Sequence, residues 1–113
     1  MEFKTIITLV DDAKTDEVIE AARRAGATGV TVVPNARGEG LNPRKTFFGL
    51  SMDEPRDLLL LVVEASRASQ VMATIAEEGD FDRRSGAGIA IQLAVEDTVG
   101  VAHQVTTPAE EGS

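Results

Sequence analysis

Residues 58–63 read Leu-Leu-Leu-Leu-Val-Val, and no other stretch limits the fold of this chain so strongly. Six apolar positions are far short of the ~18–20 that a membrane span needs. In so short a run, periodicity alone does not separate a buried strand from a helix. Pro55 before the run and Ser66 after it favour a strand of limited length. Such a strand is apolar on both faces, with Leu58, Leu60 and Val62 pointing one way and Leu59, Leu61 and Val63 the other. Helices on one side of a sheet cover only one of these sets. Leaving the other three in water forgoes roughly 5–9 kcal/mol at about 1.5–3 kcal/mol each, as much as the whole stability of many domains. The expectation is a second copy of the chain packed there; the alternative is cover by the chain's own loop or C-terminal segment. The first strand's Ile6, Thr8 and Val10 are expected to add to the same uncovered face.

The rest of the chain surrounds this run with alternating strands and helices. Phe3 to Val10 is rich in β-branched residues and reads as a strand. Asp11, Asp12 and Thr15 are good helix caps, Asp16 and Glu17 suit a helix N-terminus, and Val18, Ala21, Ala22 and Ala25 recur at helical spacing before Gly26. Gly29 to Val33 reads as a second strand ended by Pro34 and Asn35. From Ala36 to Arg56 the chain is rich in glycine, proline and basic residues, and a connection this long in a small domain is read as either functional or disordered. Thr46 to Leu50 is read as a short strand or anchor inside it. Ser66 caps a second helix with Ala68, Val71, Met72, Ile75 and Ala76 on one side and Gly79 as its stop. Asp80 to Gly88 is a second glycine-bearing loop, followed by a strand over Ile89 to Val95, which Thr98 to Ala102 extends or flanks as an edge. The order β-α-β, long loop, β-α-β predicts an α+β ferredoxin-like βαββαβ plait. One antiparallel sheet carries both helices on one face, with the first and third strands in the middle.

Composition removes several function classes. Lys+Arg 11 against Asp+Glu 19 gives a formal net charge of -8, the wrong sign for neutralising nucleic-acid phosphates. With no Trp or Tyr and Phe 4, base-stacking platforms are scarce as well. The absence of cysteine removes disulfides and thiolate metal sites and suits a reducing cytoplasm. Met1 to Val10 is interrupted by Glu2, Lys4, Thr5 and Thr8 and does not read as a secretory signal. His103 is the only histidine, so multi-imidazole metal sites are excluded and a Ser-His-Asp triad is disfavoured. The pairs Asp11-Asp12 and Glu96-Asp97 lie at element ends, where capping or solvation is their ordinary role. No G-K-[ST] follows a glycine loop, which argues against a phosphate-loop hydrolase.

Three short motifs, in order, carry a family resemblance. Gly26-Ala27-Thr28-Gly29-Val30-Thr31-Val32 resembles the G-x-T-G-x-T-V run after the first helix of PII nitrogen-regulatory signalling proteins. Arg37-Gly38-Glu39-Gly40 resembles the K-G-x-G entrance to that family's T-loop, and Gly86-Ala87-Gly88 falls where the family has its G-D-G turn. The correspondence runs from about Phe3 to Ala102. It implies residues 1–103 as a PII-like domain with a T-loop-like segment over 37–56, followed by a polar tail over 104–113. It further implies a homotrimer with sheets facing inward and an adenine nucleotide (AMP, ADP or ATP) or another small anion in the clefts between subunits. The loop would dock on a target protein, such as a membrane transporter or a nitrogen-metabolism enzyme. No cofactor is required and no catalysis is implied. The sequence departs from the pattern where the turn's Asp and Lys become Ala87 and Ile89 and the phosphate-holding arginines fall on Gly100 and Ala102. The loop is shorter and lacks the tyrosine used for uridylylation.

The candidate nucleotide-binding residues are therefore Thr31, Arg37, Gly38, Glu39, Gly40, Val62, Arg83, Arg84, Gly86, Ala87 and Gly88. The two glycine loops are read either as plain turns or as nests of backbone N–H groups for an anion. Arg37, Arg83 and Arg84 are candidates for the missing phosphate ligands, against the plainer reading of solvated loop charge. By resemblance Thr31 and Val62 line the adenine pocket. Arg44, Lys45, Phe47 and Phe48 are the candidate partner-binding residues, the phenylalanines being loop anchors on the plainer reading. Two other classes stay open: a CutA-like or amino-acid-sensing ligand-binding trimer, and a small ferredoxin-like enzyme.

Overall fold

The structure is a computed structural model and describes residues 2–36, 46–47, 50–51, 55–84 and 86–100. Strand β1 (Phe3–Asp11) runs through a 3-10 turn (Asp12–Lys14) into helix α1 (Thr15–Arg24). Edge strand β2 (Thr31–Ala36) follows, then a two-residue ladder of β3 (Thr46–Phe47) with β4 (Leu50–Ser51), strand β5 (Arg56–Glu64), helix α2 (Ala65–Glu78) and strand β6 (Gly88–Ala94). The main sheet has the order β2-β5-β1-β6, every neighbouring pair antiparallel. The expected plait is present, with the first strand and the apolar ribbon in the middle.

The residues 58–63 form a strand because they find partners on both sides: Leu60 pairs with Ile7 of β1 and with Thr31 of β2. Leu59, Leu61 and Val63 are buried beneath the helices with Ile6, Val10, Val18, Ala22, Ala68, Val71 and Ile75. Alanines at 21, 22 and 25 let α1 approach closely, and all three are buried. On the other face, cross-strand rows run Thr31–Leu60–Ile7–Ile91 and Val33–Leu58–Leu9–Ile89. Here Leu60 is 37%, Val33 43% and Leu93 47% exposed, so among the described residues one apolar face of the sheet lies open.

Ile6, Thr8 and Val10 do not belong to that open face. Ile6 pairs with Leu61 and Thr8 with Leu59, which turns them toward the helices, and all three are completely buried. The face of a strand is decided by which partner residue it meets, and a slip of one exchanges the two sets. Thr5, Ile7 and Leu9 occupy the open face instead.

Other boundaries shift for identifiable reasons. The second strand continues through Pro34 to Ala36, because Pro34 and Asn35 sit in a bulge between Val33 and Ala36 on an edge strand, where proline's missing donor is tolerated. Asn35 takes φ 57 in that bulge. Helix α2 begins at Ala65, so Ser66 is not its cap; β5 runs straight into the helix, and the Ala65 N–H donates to the Glu2 carbonyl at 2.9 Å. Before α1, the Asp11 side chain caps the 3-10 turn by accepting from the Ala13 N–H at 2.9 Å. Strand β6 covers Gly88 to Ala94, and residues 98–100 add no strand to it.

The Thr8 hydroxyl lies in the core with no hydrogen-bond partner among the described residues. Thr8→Val keeps the shape and removes an unsatisfied polar group, so it should stabilise the fold by ~1 kcal/mol. Thermal unfolding at fixed protein concentration would show this as a Tm higher by a few degrees.

Candidate functional site

The end of the sheet where β1 stops and β5 and β6 begin gathers most of the polar chemistry. The chain enters the long connection at Ala36 and returns at Pro55 and Arg56, and these two ends are held together: Ala36 pairs with Arg56, and the Asp12 N–H donates to the Pro55 carbonyl at 3.4 Å. Arg56 and Asp57, adjacent on a strand, project to opposite faces and hold different elements. Asp57 accepts a 2.6 Å hydrogen bond from the Thr15 hydroxyl at the start of α1 and a 3.4 Å bond from the Asn35 N–H in the β2 bulge. One carboxylate thus ties the strained entrance of the connection to a helix N-terminus.

Arg56 is only 4% exposed and donates from one guanidinium nitrogen to the Gly86 carbonyl at 2.7 Å and from the other to the Ala87 carbonyl at 3.3 Å. The turn it holds is itself closed by an Ala87 N–H to Arg84 carbonyl bond of 3.1 Å. Gly86 has φ 78, in the left-handed region where glycine is favoured. Phe81 packs between Gly79 and Gly88: a Cβ at Gly88 would collide with the Phe81 ring and lie 2.7 Å from the Leu9 carbonyl oxygen. Glycine at 88 is therefore required by close approach of ring and backbone. Arg84 reaches Asp11 at 3.9 Å and Arg83 reaches Asp80 at 3.9 Å, but their side chains remain 55% and 79% exposed. Pairs of this kind hold weakly, so both guanidinium groups face solvent beside the turn.

The sequence-derived candidates fall into two described groups. Arg83, Arg84, Gly86, Ala87 and Gly88 cluster around the start of β6. Thr31 on β2 and Val62 on β5 share the open face as diagonal neighbours, since Thr31 pairs with Leu60. From strand spacing and rise, roughly 15–20 Å separates these two from Gly88, farther than a nucleoside monophosphate spans. A single chain does not bring the two groups into one pocket. Arg37, Gly38, Glu39, Gly40, Arg44, Lys45 and Phe48 lie outside the described residues, as do His103 and the segment 104–113. Phe47 is placed only by its backbone, paired with Leu50. Among the described residues no group of three His, Asp or Glu is arranged to hold a metal ion. No helix among them is long and apolar enough to cross a membrane.

The family model for the nitrogen regulatory protein P-II matches residues 3–104. The chain belongs to the PII family. Solved structures with the same fold include a PII-like signaling protein from Thermus thermophilus, 23% identical over 84% of this chain and 87% of that one, TM-score 0.61. Another is CPII from Thiomonas intermedia bound to ADP, AMP and acetate, 18% identical over 85% of this chain and 90% of that one, TM-score 0.60. A Bacillus cereus protein related to NIF3 contains the same plait within a longer chain, 13% identical over 85% of this chain and 26% of that one, TM-score 0.65. No curated protein matches the sequence.

Arg56 and Asp57 are two residues of this PII protein that the sequence alone does not single out, Arg56 counting there as one more cation of the loop. The available signal is parity: an even-numbered residue just ahead of Leu58 lies on the open face, cross-strand from Asp11. Removing the Asp57 carboxylate leaves the Thr15 hydroxyl and the Asn35 amide without it, so Asp57→Ala should cost ~1–3 kcal/mol. Gly88→Ala should cost ~1–3 kcal/mol by overpacking. Denaturant unfolding of each variant checks these values, with Gly29→Ala, where a Cβ meets nothing within 4 Å, as the control for a glycine with room.

Proposed function

We propose that this PII protein is a non-enzymatic regulatory subunit. It assembles as a homotrimer through its open sheet face and binds an adenine nucleotide between subunits. The observation that carries the reading is the separation of the two candidate groups, Thr31 and Val62 on the open apolar face and the Gly86–Gly88 turn at the far end of the sheet. Thr31 and Val62 supply an apolar and hydroxyl-bearing surface suited to a base, while Arg83, Arg84 and the Gly86–Gly88 turn supply positive charge and close backbone approach suited to phosphate. Stacking copies through the open face gives the base half of one subunit a phosphate half on its neighbour. ADP and AMP bound to the Thiomonas CPII support the ligand class. Ala87, Ile89, Gly100 and Ala102, standing where the family carries charged phosphate contacts, favour a nucleotide with fewer phosphates than ATP. The domain spans residues 1–103 with a polar tail over 104–113. The 37–56 segment, carrying Arg37, Gly38, Glu39, Gly40, Arg44, Lys45, Phe47 and Phe48, contacts the regulated protein, for which a cytoplasmic enzyme or the cytoplasmic face of a transporter is suited. An acidic protein of this charge regulates through protein contacts, not nucleic acid.

Titration calorimetry with AMP, ADP and ATP should give heat for AMP or ADP, with ATP weaker; no heat from any of the three removes the nucleotide reading. Sedimentation equilibrium should give three times the 12.0 kDa chain mass. Leu60→Lys, which puts a charge at the middle of the open face, should shift the protein toward monomer; a wild-type chain that stays monomeric at micromolar concentration removes the assembly.

A further inference from the structure

A buried arginine is expensive unless its donors are used, because the guanidinium has lost its water. Arg56 is such a residue. It is not in either group of nucleotide candidates, yet it reaches past the end of β1 from one central strand to the turn that opens the far edge strand. Its bonds to the turn go to backbone carbonyls, those of Gly86 and Ala87, and both nitrogens used are terminal ones, so the planar fork straddles consecutive peptide groups. A lysine ammonium, a single point of charge, does not reproduce that two-point hold. A carbonyl fixed toward Arg56 also fixes the orientation of the peptide plane, and with it the amide of the following residue. The turn has one amide whose state is visible: the Ala87 N–H, bonded to the Arg84 carbonyl at 3.1 Å. Asp11 pairs with Arg56 in the strand register, and its carboxylate lies 3.9 Å from Arg84 beside the turn.

We infer that Arg56 is a positioning residue, whose guanidinium sets the peptide planes of the Gly86–Ala87 turn in the form that an anionic ligand meets. It acts from the first residue of β5, where the chain returns to the sheet, and so makes the ligand's turn depend on a strand at the other side of β1. The turn half of this inference stands on the bonds above; the ligand half rests on the nucleotide reading.

The test is amide hydrogen exchange and AMP or ADP calorimetry on the full chain, comparing wild type, Arg56→Gln and Arg56→Lys. In Arg56→Gln the Ala87 amide should exchange roughly 10–100-fold faster, the factor carried by charge-assisted hydrogen bonds, while core amides such as Leu59 and Ile6 keep their protection. Nucleotide affinity should fall by a similar factor, and Arg56→Lys should lie between the two. An Ala87 amide unchanged in both variants overturns the inference. So does a uniform rise at Ala87, Leu59 and Ile6, which marks general loosening. If Arg56→Gln does not fold, Arg56→Lys decides by the same comparison. A wild-type chain that binds neither nucleotide overturns the function proposed above and the ligand half of this inference, and Ala87 exchange then decides the turn half.

Discussion

Strand β5 is the constraint on which the rest of the molecule depends. It is apolar on every position from Leu58 to Val63 and hydrogen-bonded on both sides, to β1 and to β2. Its odd-numbered side chains, with Ile6 and Val10 from β1, form the floor on which α1 and α2 rest. On its other face no helix covers Leu58, Leu60 and Val62 among the described residues, Leu60 being exposed and the other two half-buried, and this apolar surface continues across the sheet through Ile7, Leu9, Ile89 and Ile91. The hydrophobic effect scales with the area removed from water, so this second face is a large unsatisfied driving force. One strand therefore both completes the fold and prepares the surface on which copies meet in the proposed assembly.

The same strand organises the polar end of the molecule, through its first two residues. Alternation along a strand sends Arg56 and Asp57 to opposite faces, and each reaches a different partner: Asp57 holds the α1 start and the β2 bulge, Arg56 the glycine turn before β6. Three separate parts of the chain are held by two neighbouring side chains. The charges do distinct work because they are differently placed: the carboxylate accepts from an N–H and a hydroxyl, the guanidinium donates to two carbonyls. Glycine at 79 and 88 follows from packing, since Phe81 fills the space where a side chain at either would go.

The plait is legible in the chain itself, because strand and helix patterns differ in period and Gly26, Gly79 and Pro55 mark where one gives way to another. The apolar run 58–63 announces a two-faced strand, and Gly26–Val32, Arg37–Gly40 and Gly86–Gly88 together point to the PII family whose model covers residues 3–104. Less legible is anything that depends on which residue lies across from which. Ile6, Thr8 and Val10 go to the wrong face when read from sequence, which records alternation but not the register that assigns each set to a side. Pro34 reads as an end because a strand's tolerance of proline depends on its being at an edge.

The candidate site divides along the same line. Glycine and arginine near residues 83–88 are local signals, written by the needs of a tight turn and a positive surface, and one chain is enough to find them. That Thr31 and Val62 stand across the sheet from that turn, and that Arg56 reaches it from another strand, are consequences of strand order β2-β5-β1-β6. Local sequence determined the elements, their turns and the greasy central ribbon, because these follow from short-range conformational preference and hydrophobic period. Tertiary structure alone decided which faces are buried and which distant charges meet, because contacts between residues about 30 positions apart are set by strand pairing, which no local pattern encodes.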